Sequence, residues 1–475
     1  MLKVLICGSE VAPVIKLGGL GDVIGALPKS LEKLGVDANV VVPFFLTAKT
    51  ENLKIYKSRD LLVPYDGNTR KIDVYVTKLP GSNVDLYMLK NDEFFSEGGK
   101  SAFLNNLAEI KAFSFFSRCV AELIKGKFNT YDVVHCNDWH TGLITHILQD
   151  ELGISRPATI ITIHNLSYQG TSDSSIVREI GLDPGVHKSI DWDTSDGDIN
   201  FLMQGIMSAD FINTVSPSYA EELLASQDSS KISEVLISRK DRFLGILNGV
   251  DYSSFPRDFD KTNWQPGKSG AKTRLLEELN LQKNDAPVFS MISRLDPNQK
   301  GLDILMDVLP YIISSGGKFI LLGSGNKEWE NKFREAQTQL GAQNVSINTV
   351  FDSELAVRIY KGSDFFLIPS KFEPCGLTQM ISMWYGAVPV AHAVGGLKDT
   401  IKQGKTGFLF NTYSSDDFKK SLTKCFNIYK SQLYFDIVEE CLNQDFSVDK
   451  SAKAYKELYE KAVQIREDAY GSVCI

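Results

Sequence analysis

Residues 362–401 read GSDFFLIPSKFEPCGLTQMISMWYGAVPVAHAVGGLKDTI. The apolar run 365–369 has the length of a buried strand, and the polar turn after it carries Glu373 toward a helix opening near Gly376. A second strand at 388–391 runs into a glycine turn and another helix. This is the grammar of a βαβ unit in a parallel sheet, whose strands are covered on both faces and read as unbroken apolar runs. In such sheets the ligand crevice lies at the carboxyl ends of the strands, where helix amino termini offer N–H groups to a phosphate or another anion. Glu373 then stands beside a bound phosphate without being its ligand.

The pattern recurs along the chain. Residues 2–7 (LKVLIC) form a strand, 8–10 and 16–23 (KLGGLGDV) a glycine loop, the stretch to Gly35 a helix, and 38–42 a second strand. The glycines are not spaced as the G-x-G-x-x-G dinucleotide fingerprint. Residues 50–103 alternate in polarity and suggest an antiparallel excursion, and 107–125 are helical. The strand 133–136 ends in Asn137-Asp138-Trp139-His140 and the strand 160–163 in His164-Asn165, so both deliver polar groups to one shared crevice. After a helix at 200–209 and a strand at 211–215, Ser216-Pro217 opens the next helix as cap and first residue. Residues 251–287, rich in Pro, Gly, Ser and charge, read as a hinge.

Beyond it, the strand 287–292 leads to Ser293-Arg294-Leu295 and Gln299-Lys300-Gly301. Two cations at a strand end before a helix are a phosphate clamp by type. Gly323-Ser324-Gly325-Asn326-Lys327 lacks the P-loop spacing and reads as a turn. The tail 416–470 is mostly helical, with Tyr455, Leu458 and Tyr459 on one face suited to packing across a domain surface. Gly18-Gly19-Leu20-Gly21-Asp22-Val23-Ile24 and Gly395-Gly396-Leu397-Lys398-Asp399-Thr400-Ile401 share G-G-L-x-D-x-I, which could turn a helix amino terminus from each domain toward a common cleft.

A chain of 475 residues exceeds what one hydrophobic core supports, so two domains are expected. A net charge of −8 leaves no electrostatic footprint for nucleic acid or an anionic membrane. The seven cysteines are scattered without a C-x-x-C pair, which favours a reducing compartment over a disulfide framework or zinc cluster. The first residues are a strand rather than a signal peptide, and no apolar run reaches membrane-spanning length. His135, His140 and His146 lack partners at zinc spacing. The acidic stretch 191–198 (DWDTSDGD) and residues 258–260 hold D-x-D triplets that a metal-dependent sugar-nucleotide site could use, but such triplets also arise by chance in acidic loops.

Taken together, residues 16–23, Asn137 to His140, residues 164–170 (HNLSYQG), 214–220 (TVSPSYA), 248–251 (NGVD), 293–295, 299–303 and 369–379 (PSKFEPCGLTQ) resemble the bacterial-type glycogen synthase and starch synthase family. The resemblance spans residues 1 to about 455. It implies an α/β fold of the GT-B type, two Rossmann-like doubly wound domains facing an interdomain cleft. The implied divisions are an acceptor-side domain at 1–246, a nucleotide-sugar domain at 247–455 and a tail at 456–475 that packs back on the first domain. It also implies transfer of glucose from ADP-glucose to the non-reducing 4-OH of an α-1,4-glucan with retention, in the cytoplasm and with no metal or other cofactor. Oligomeric state stays open.

Carried over position by position, His164, Glu373, Arg294, Lys300 and Asp138 form the catalytic set. Arg294 and Lys300 meet the diphosphate, Glu373 the glucosyl unit, and His164 the sugar near the reacting carbon. Lys16, Gly18, Gly19, Asn248, Phe351, Cys375, Gly376, Leu377 and Thr378 fall to the donor, Phe351 as an aromatic on adenine, with Glu10 and Asn165 on the acceptor and sugar side. Three departures stand out: five residues between Arg294 and Lys300 where the family has four, Met203 where Lys is common, and Val448 in place of a usual Trp. No pair of carboxylates can be assigned as in retaining glycosidases, so same-face attack within an ion pair is the expected route. Another GT-B transferase using UDP-glucose, or a catalytically silent glucan-binding protein, would share much of this pattern.

Overall fold

The computed structural model describes residues 1–95, 107–126, 130–182, 185, 188–226, 230–350 and 352–473. They fall into two compact units, Met1–Gly249 with Val448–Ile475, and Val250–Ser447.

The first unit holds one nine-stranded sheet. Its strands are β1 (Lys3–Cys7), β2 (Asp37–Pro43), β3 (Tyr56–Tyr65), β4 (Asn68–Lys78), β5 (Asp85–Lys90), β6 (Val133–Asn137), β7 (Ala158–Ile163), then, after the small antiparallel pair β8 (Thr171–Asp173) and β9 (Asp198–Asn200), β10 (Phe211–Thr214) and β11 (Phe243–Gly245). The order is β11-β10-β7-β6-β1-β2-β5-β4-β3. β3 and β4 are the expected antiparallel excursion: they join the edge through β5, which itself runs parallel to β2. Val4, Leu5, Ile6, Val133, Val134, Ile160 and Ile161 are fully buried, as two-sided coverage of a parallel strand demands.

The second unit is a wholly parallel six-stranded sheet of β12 (Val288–Ile292), β13 (Lys318–Leu322), β14 (Val345–Asn348), β15 (Phe365–Ile368), β16 (Val388–His392) and β17 (Phe408–Phe410), in the order β14-β13-β12-β15-β16-β17. That is the doubly wound order, with its reversal between β12 and β15. In the first unit the reversal lies between β1 and β6. The strand ends singled out from sequence flank these two reversals.

Three expectations change. The segment 251–287 is not a bare linker, because it contains the helix Trp264–Glu278. Lys268, fully buried in that helix, donates to the carbonyls of Lys361, Ser363 and Tyr385, which ties a Gly- and Pro-bearing sequence of low intrinsic helicity to the second unit. Residues 448–455, expected in the second domain, belong to the helix Val448–Val473 and to the first unit. There Tyr455 and Tyr459 are buried, and Ser451 Oγ donates to Leu247 O at 2.6 Å. Finally, the stretch DWDTSDGD is partly helical: Asp191 and Asp193 lie in the helix Lys188–Thr194. Asp193 is buried and accepts from Asn200 N and Gln204 Nε2, a structural use of one D-x-D carboxylate.

Candidate active site

The first unit builds its site where β1, β6 and β7 end. Glu10, 1% exposed, follows β1 and its Oε2 accepts from the backbone N–H groups of Leu17 and, at 2.9 Å, Gly18. A Cβ at Gly21 would meet that same oxygen at 2.9 Å. Glu10 therefore shapes the glycine loop, and burial pushes its pKa up despite those N–H donors. Beyond Gly18 the helix Gly19–Lys33 starts with no side-chain cap, and a Cβ placed on Gly19 would find open space. Lys16 is held by Asp22 at 2.7 Å, both partners partly exposed.

Asp138 follows β6 with a left-handed φ of 56°. Its Oδ1 accepts from His164 N at 2.7 Å and Asn165 N at 3.4 Å, so the ends of β6 and β7 are stitched together by one carboxylate. Burial raises its pKa to about 7; the two N–H donors oppose that rise, and the Glu10 charge adds to it. The His164 ring lies on Asn137, with Nε2 to Oδ1 at 2.9 Å, and desolvation pulls its pKa down to about 3. It is a neutral imidazole at physiological pH. Asn165 Oδ1 turns back to Ser167 N. Asn248 is buried, its N–H bonded to Val215 O, while its side-chain Oδ1 has no hydrogen-bond partner among the described residues. A buried acceptor without a donor marks a place where a ligand N–H or O–H fits.

The second unit's site lies at the β12 and β15 ends. Lys371 N donates to Gln299 O at 2.7 Å and Gln299 Nε2 to Phe372 O at 3.5 Å, so the two loops are zipped together. Gly301, at φ 66°, makes this possible, since a Cβ there would lie 1.9 Å from Pro369 O. The zipper sets Lys300 Nζ 2.7 Å from Glu373 Oε2, which also accepts from Ser370 Oγ at 2.9 Å. The clamp cation and the sugar-side carboxylate, assigned separate tasks from sequence, are partners. Arg294 is exposed at the mouth of the loop, with Nη2 3.4 Å from Gln299 Oε1. Between Arg294 and Lys300 the chain makes a turn in which Gln299 N and Lys300 N both bond Asp296 O.

The helix begins at Thr378 rather than Gly376, runs only to Trp384, and has no side-chain cap. Gly376 precedes it at φ 72°, which turns Cys375, Gly376 and Leu377 around the helix start. Gln379 staples this turn by donating to Cys375 O, Gly376 O and Thr400 Oγ1. Phe351 lies outside the described residues.

Residues 3–238 match the starch synthase catalytic domain, and residues 274–436 match the glycosyl transferases group 1 domain. A glycogen synthase of Thermosipho africanus is 38% identical over 98% of this chain and 100% of its own length. One from Thermotoga maritima is 40% identical over 97% of this chain and 99% of its own. The chain belongs to the glycogen and starch synthase family. Among solved structures, the catalytic domain of starch synthase IV from Arabidopsis thaliana, bound to ADP and acarbose, superposes with a TM-score of 0.88 at 30% identity, covering 98% of this chain and 99% of that one. The fold class is accordingly GT-B, and the chain is a glycosyltransferase.

Other conspicuous groups serve the family fold. His146 Nδ1 meets Ser208 Oγ at 3.1 Å, and His140 is stacked on Trp139. Among the described residues no cluster could hold a metal ion, and no helix is long and apolar enough to cross a membrane. A cavity of about 360 Å³ at the amino ends of β7 and β10 is lined by Arg156, Arg239, Arg242 and Asp210. It is at the opposite strand ends from His164. Arg156 is bidentate on Asp210, and Arg239 caps the carbonyls of Ile206, Met207 and Ala209. Asn137, Ser370 and Gln379 are the supporting residues that sequence reasoning left without a role, although each lay inside a motif.

Proposed function

We propose that the chain transfers glucose from ADP-glucose to the 4-OH at the non-reducing end of an α-1,4-glucan, with retention, as a cytoplasmic enzyme. The observation that carries this reading is the Lys300–Glu373 pair, 2.7 Å apart at the sheet reversal of the second unit, with Arg294 beside it and an uncapped helix start after Cys375 and Gly376. Lys300 and Arg294 supply positive charge where the leaving diphosphate gains negative charge, and Glu373 keeps its second oxygen for a sugar hydroxyl. Charge placed in advance at a partly buried site costs no reorganisation during reaction. The names of the relatives and the ADP bound in the starch synthase IV structure support the donor assignment.

In this reading the bond from the glucosyl C1 to the β-phosphate oxygen breaks, and the acceptor O4 bonds C1 from the same face. The acceptor proton passes to the departing phosphate oxygen. Glu373, tied to Lys300 and Ser370, and Asp138, tied to two backbone N–H groups, are both committed as hydrogen-bond acceptors, which suits electrostatic and positioning roles rather than a nucleophile.

The test is ADP or UDP release from ADP-glucose and UDP-glucose, each with and without glycogen. Glycogen-dependent ADP release with chain growth is expected, and a donor preference for UDP-glucose, or no release from either, would overturn the assignment. Lys300→Ala is expected to lower turnover by roughly 10²–10³, the cost of deleting one preorganised charge-stabilising group. Near wild-type turnover in that variant would remove Lys300 from the leaving-group site.

A further inference from the structure

His164 can carry its single ring proton on either nitrogen, and the two tautomers present opposite faces to a ligand: one nitrogen donates, the other accepts. The structure contains the information needed to choose. Asn137, the last residue of β6, is 1% exposed, and its Nδ2 lies 3.0 Å from Cys7 O and 3.4 Å from His135 O. Both partners are carbonyl oxygens, which only accept. The amide nitrogen must therefore face them, and the amide oxygen must face the other way. That oxygen lies 2.9 Å from His164 Nε2 and it, too, only accepts. The ring nitrogen must bring the hydrogen.

We infer that Asn137 is a positioning residue that locks His164 as the neutral Nε2–H tautomer, so that Nδ1 is presented to the site as a hydrogen-bond acceptor for a sugar hydroxyl. This rests on the glucosyl-transfer reading for the identity of the hydroxyl, but not for the tautomer itself. The alternative Nδ1–H form would set two acceptors, Nε2 and the Oδ1 of buried Asn137, against each other, an unmet pair that costs more than the hydrogen bond it replaces. The Nδ1 atom has no hydrogen-bond partner among the described residues, whereas His164 N is already given to Asp138. The low basicity of the ring agrees with a group that accepts a hydrogen bond without taking the proton.

The same logic extends one residue behind the site. His135 Nε2 lies 2.6 Å from Thr162 Oγ1, whose own hydrogen goes to Asn213 Oδ1 at 2.7 Å. His135 Nδ1 then accepts from Tyr459 O–H at 2.8 Å, on the returning C-terminal helix. His135 O is one of the two carbonyls that orient Asn137. The C-terminal helix thus holds the β6 strand from which Asn137 reaches His164. Deleting the single Asn137 amide breaks the last step of that chain while leaving His135, Thr162 and Tyr459 in place.

The experiment is ¹⁵N imidazole spectroscopy of the full-length protein with labelled histidine, assigned with His164→Gln and His135→Gln, in the absence of any sugar. A protonated, pyrrole-type Nε2 and an unprotonated, pyridine-type Nδ1 are expected for His164 at neutral pH. The opposite pattern, or an even mixture, would overturn the inference whatever the protein catalyses. In Asn137→Ala a mixed tautomer is expected, with glycogen-dependent turnover falling roughly tenfold to a hundredfold, the range seen when a supporting partner of a functional histidine is lost. A folded Asn137→Ala protein that keeps a pure Nε2–H ring would also overturn it. Should that variant fail to fold, the wild-type spectrum still decides the tautomer. Absence of activity in both proteins with the expected wild-type spectrum would sink the functional reading alone.

Discussion

The two G-G-L-x-D-x-I segments share five letters and do opposite work. In the first, Gly18 and Gly19 are accessible, a Cβ on Gly19 meets nothing within 4 Å, and a buried acid, Glu10, holds the segment by accepting from its backbone. In the second, Gly395 and Gly396 are buried, a Cβ on Gly395 would lie 2.1 Å from Glu373 O and one on Gly396 2.4 Å from Cys375 O, and Gly396 N donates to Glu373 O at 3.1 Å. An acid serves the glycines in one unit, and the glycines serve the acid's loop in the other. Both helices start without a side-chain cap, but only the second has its glycine pair closed in, by the carbonyl oxygens of Glu373 and Cys375. The second glycine pair is a close-packing device that fixes the turn carrying Glu373. Its helix, Gly395–Thr400, is also a bare six residues.

The largest effect that would break this contrast is structural. Gly395→Ala adds a Cβ at φ 43° against a backbone oxygen and is expected to lower unfolding free energy by about 3–4 kcal/mol, the sum of left-handed strain and overpacking. Denaturant titration measures it. A loss under about 1 kcal/mol would mean that the second segment is no tighter than the first.

Next comes the charge around the first segment. Asp138 has a folded pKa raised to about 7, chiefly by burial and partly by the Glu10 charge, so the folded state holds a proton that the unfolded chain releases near pH 4. Its contribution to stability is full below about pH 4 and is lost as pH rises through about 7. Asp138→Asn keeps an acceptor for His164 N and Asn165 N but cannot titrate. It is expected to flatten that part of the stability curve, raising relative stability at pH 8 by on the order of 2–4 kcal/mol against its own value at pH 4. Parallel pH curves for the two proteins would place Asp138 in ordinary solvent.

A smaller effect on stability, but a visible one on binding, is expected from Gly19→Ala. With nothing near the added Cβ, unfolding free energy should stay within about 0.5 kcal/mol, while the KM for the donor rises because the methyl occupies the approach to the helix start. Unchanged kinetics would take Gly19 out of the donor site. Smallest of all is Asp22→Ala, which removes the partly exposed Lys16 pair and should cost at most about 0.5 kcal/mol. A larger loss would show that the Asp of the shared motif, rather than Glu10, holds the open segment.

Much of this molecule was legible in advance. Strand 133–136 became β6 (Val133–Asn137), the helix at 107–125 became Leu107–Lys125, and Ser216 caps the helix Pro217–Ala225 through Tyr219 N, because apolar run length, helical period and cap chemistry are local properties. The helix Trp264–Glu278 was not legible. Its glycines and proline predict a linker, and its reason for existing, three distant carbonyls around Lys268, is nowhere in its own sequence.

The candidate site divides the same way. Sequence alone determined which side chains stand at strand ends: Glu10, Asp138, His164, Arg294, Lys300 and Glu373 each follow or close on a predicted strand, and that placement is a matter of chain order. The tertiary structure decided what those side chains do to one another. It paired Lys300 with Glu373 across a sequence separation of 73, turned Glu10 onto the glycine loop, and aimed Asn137 at His164. Hydrogen bonds and ion pairs are short-ranged, so their partners are chosen by which strands lie side by side. That order, β12 beside β15 and β1 beside β6, is set by the packing of the whole sheet.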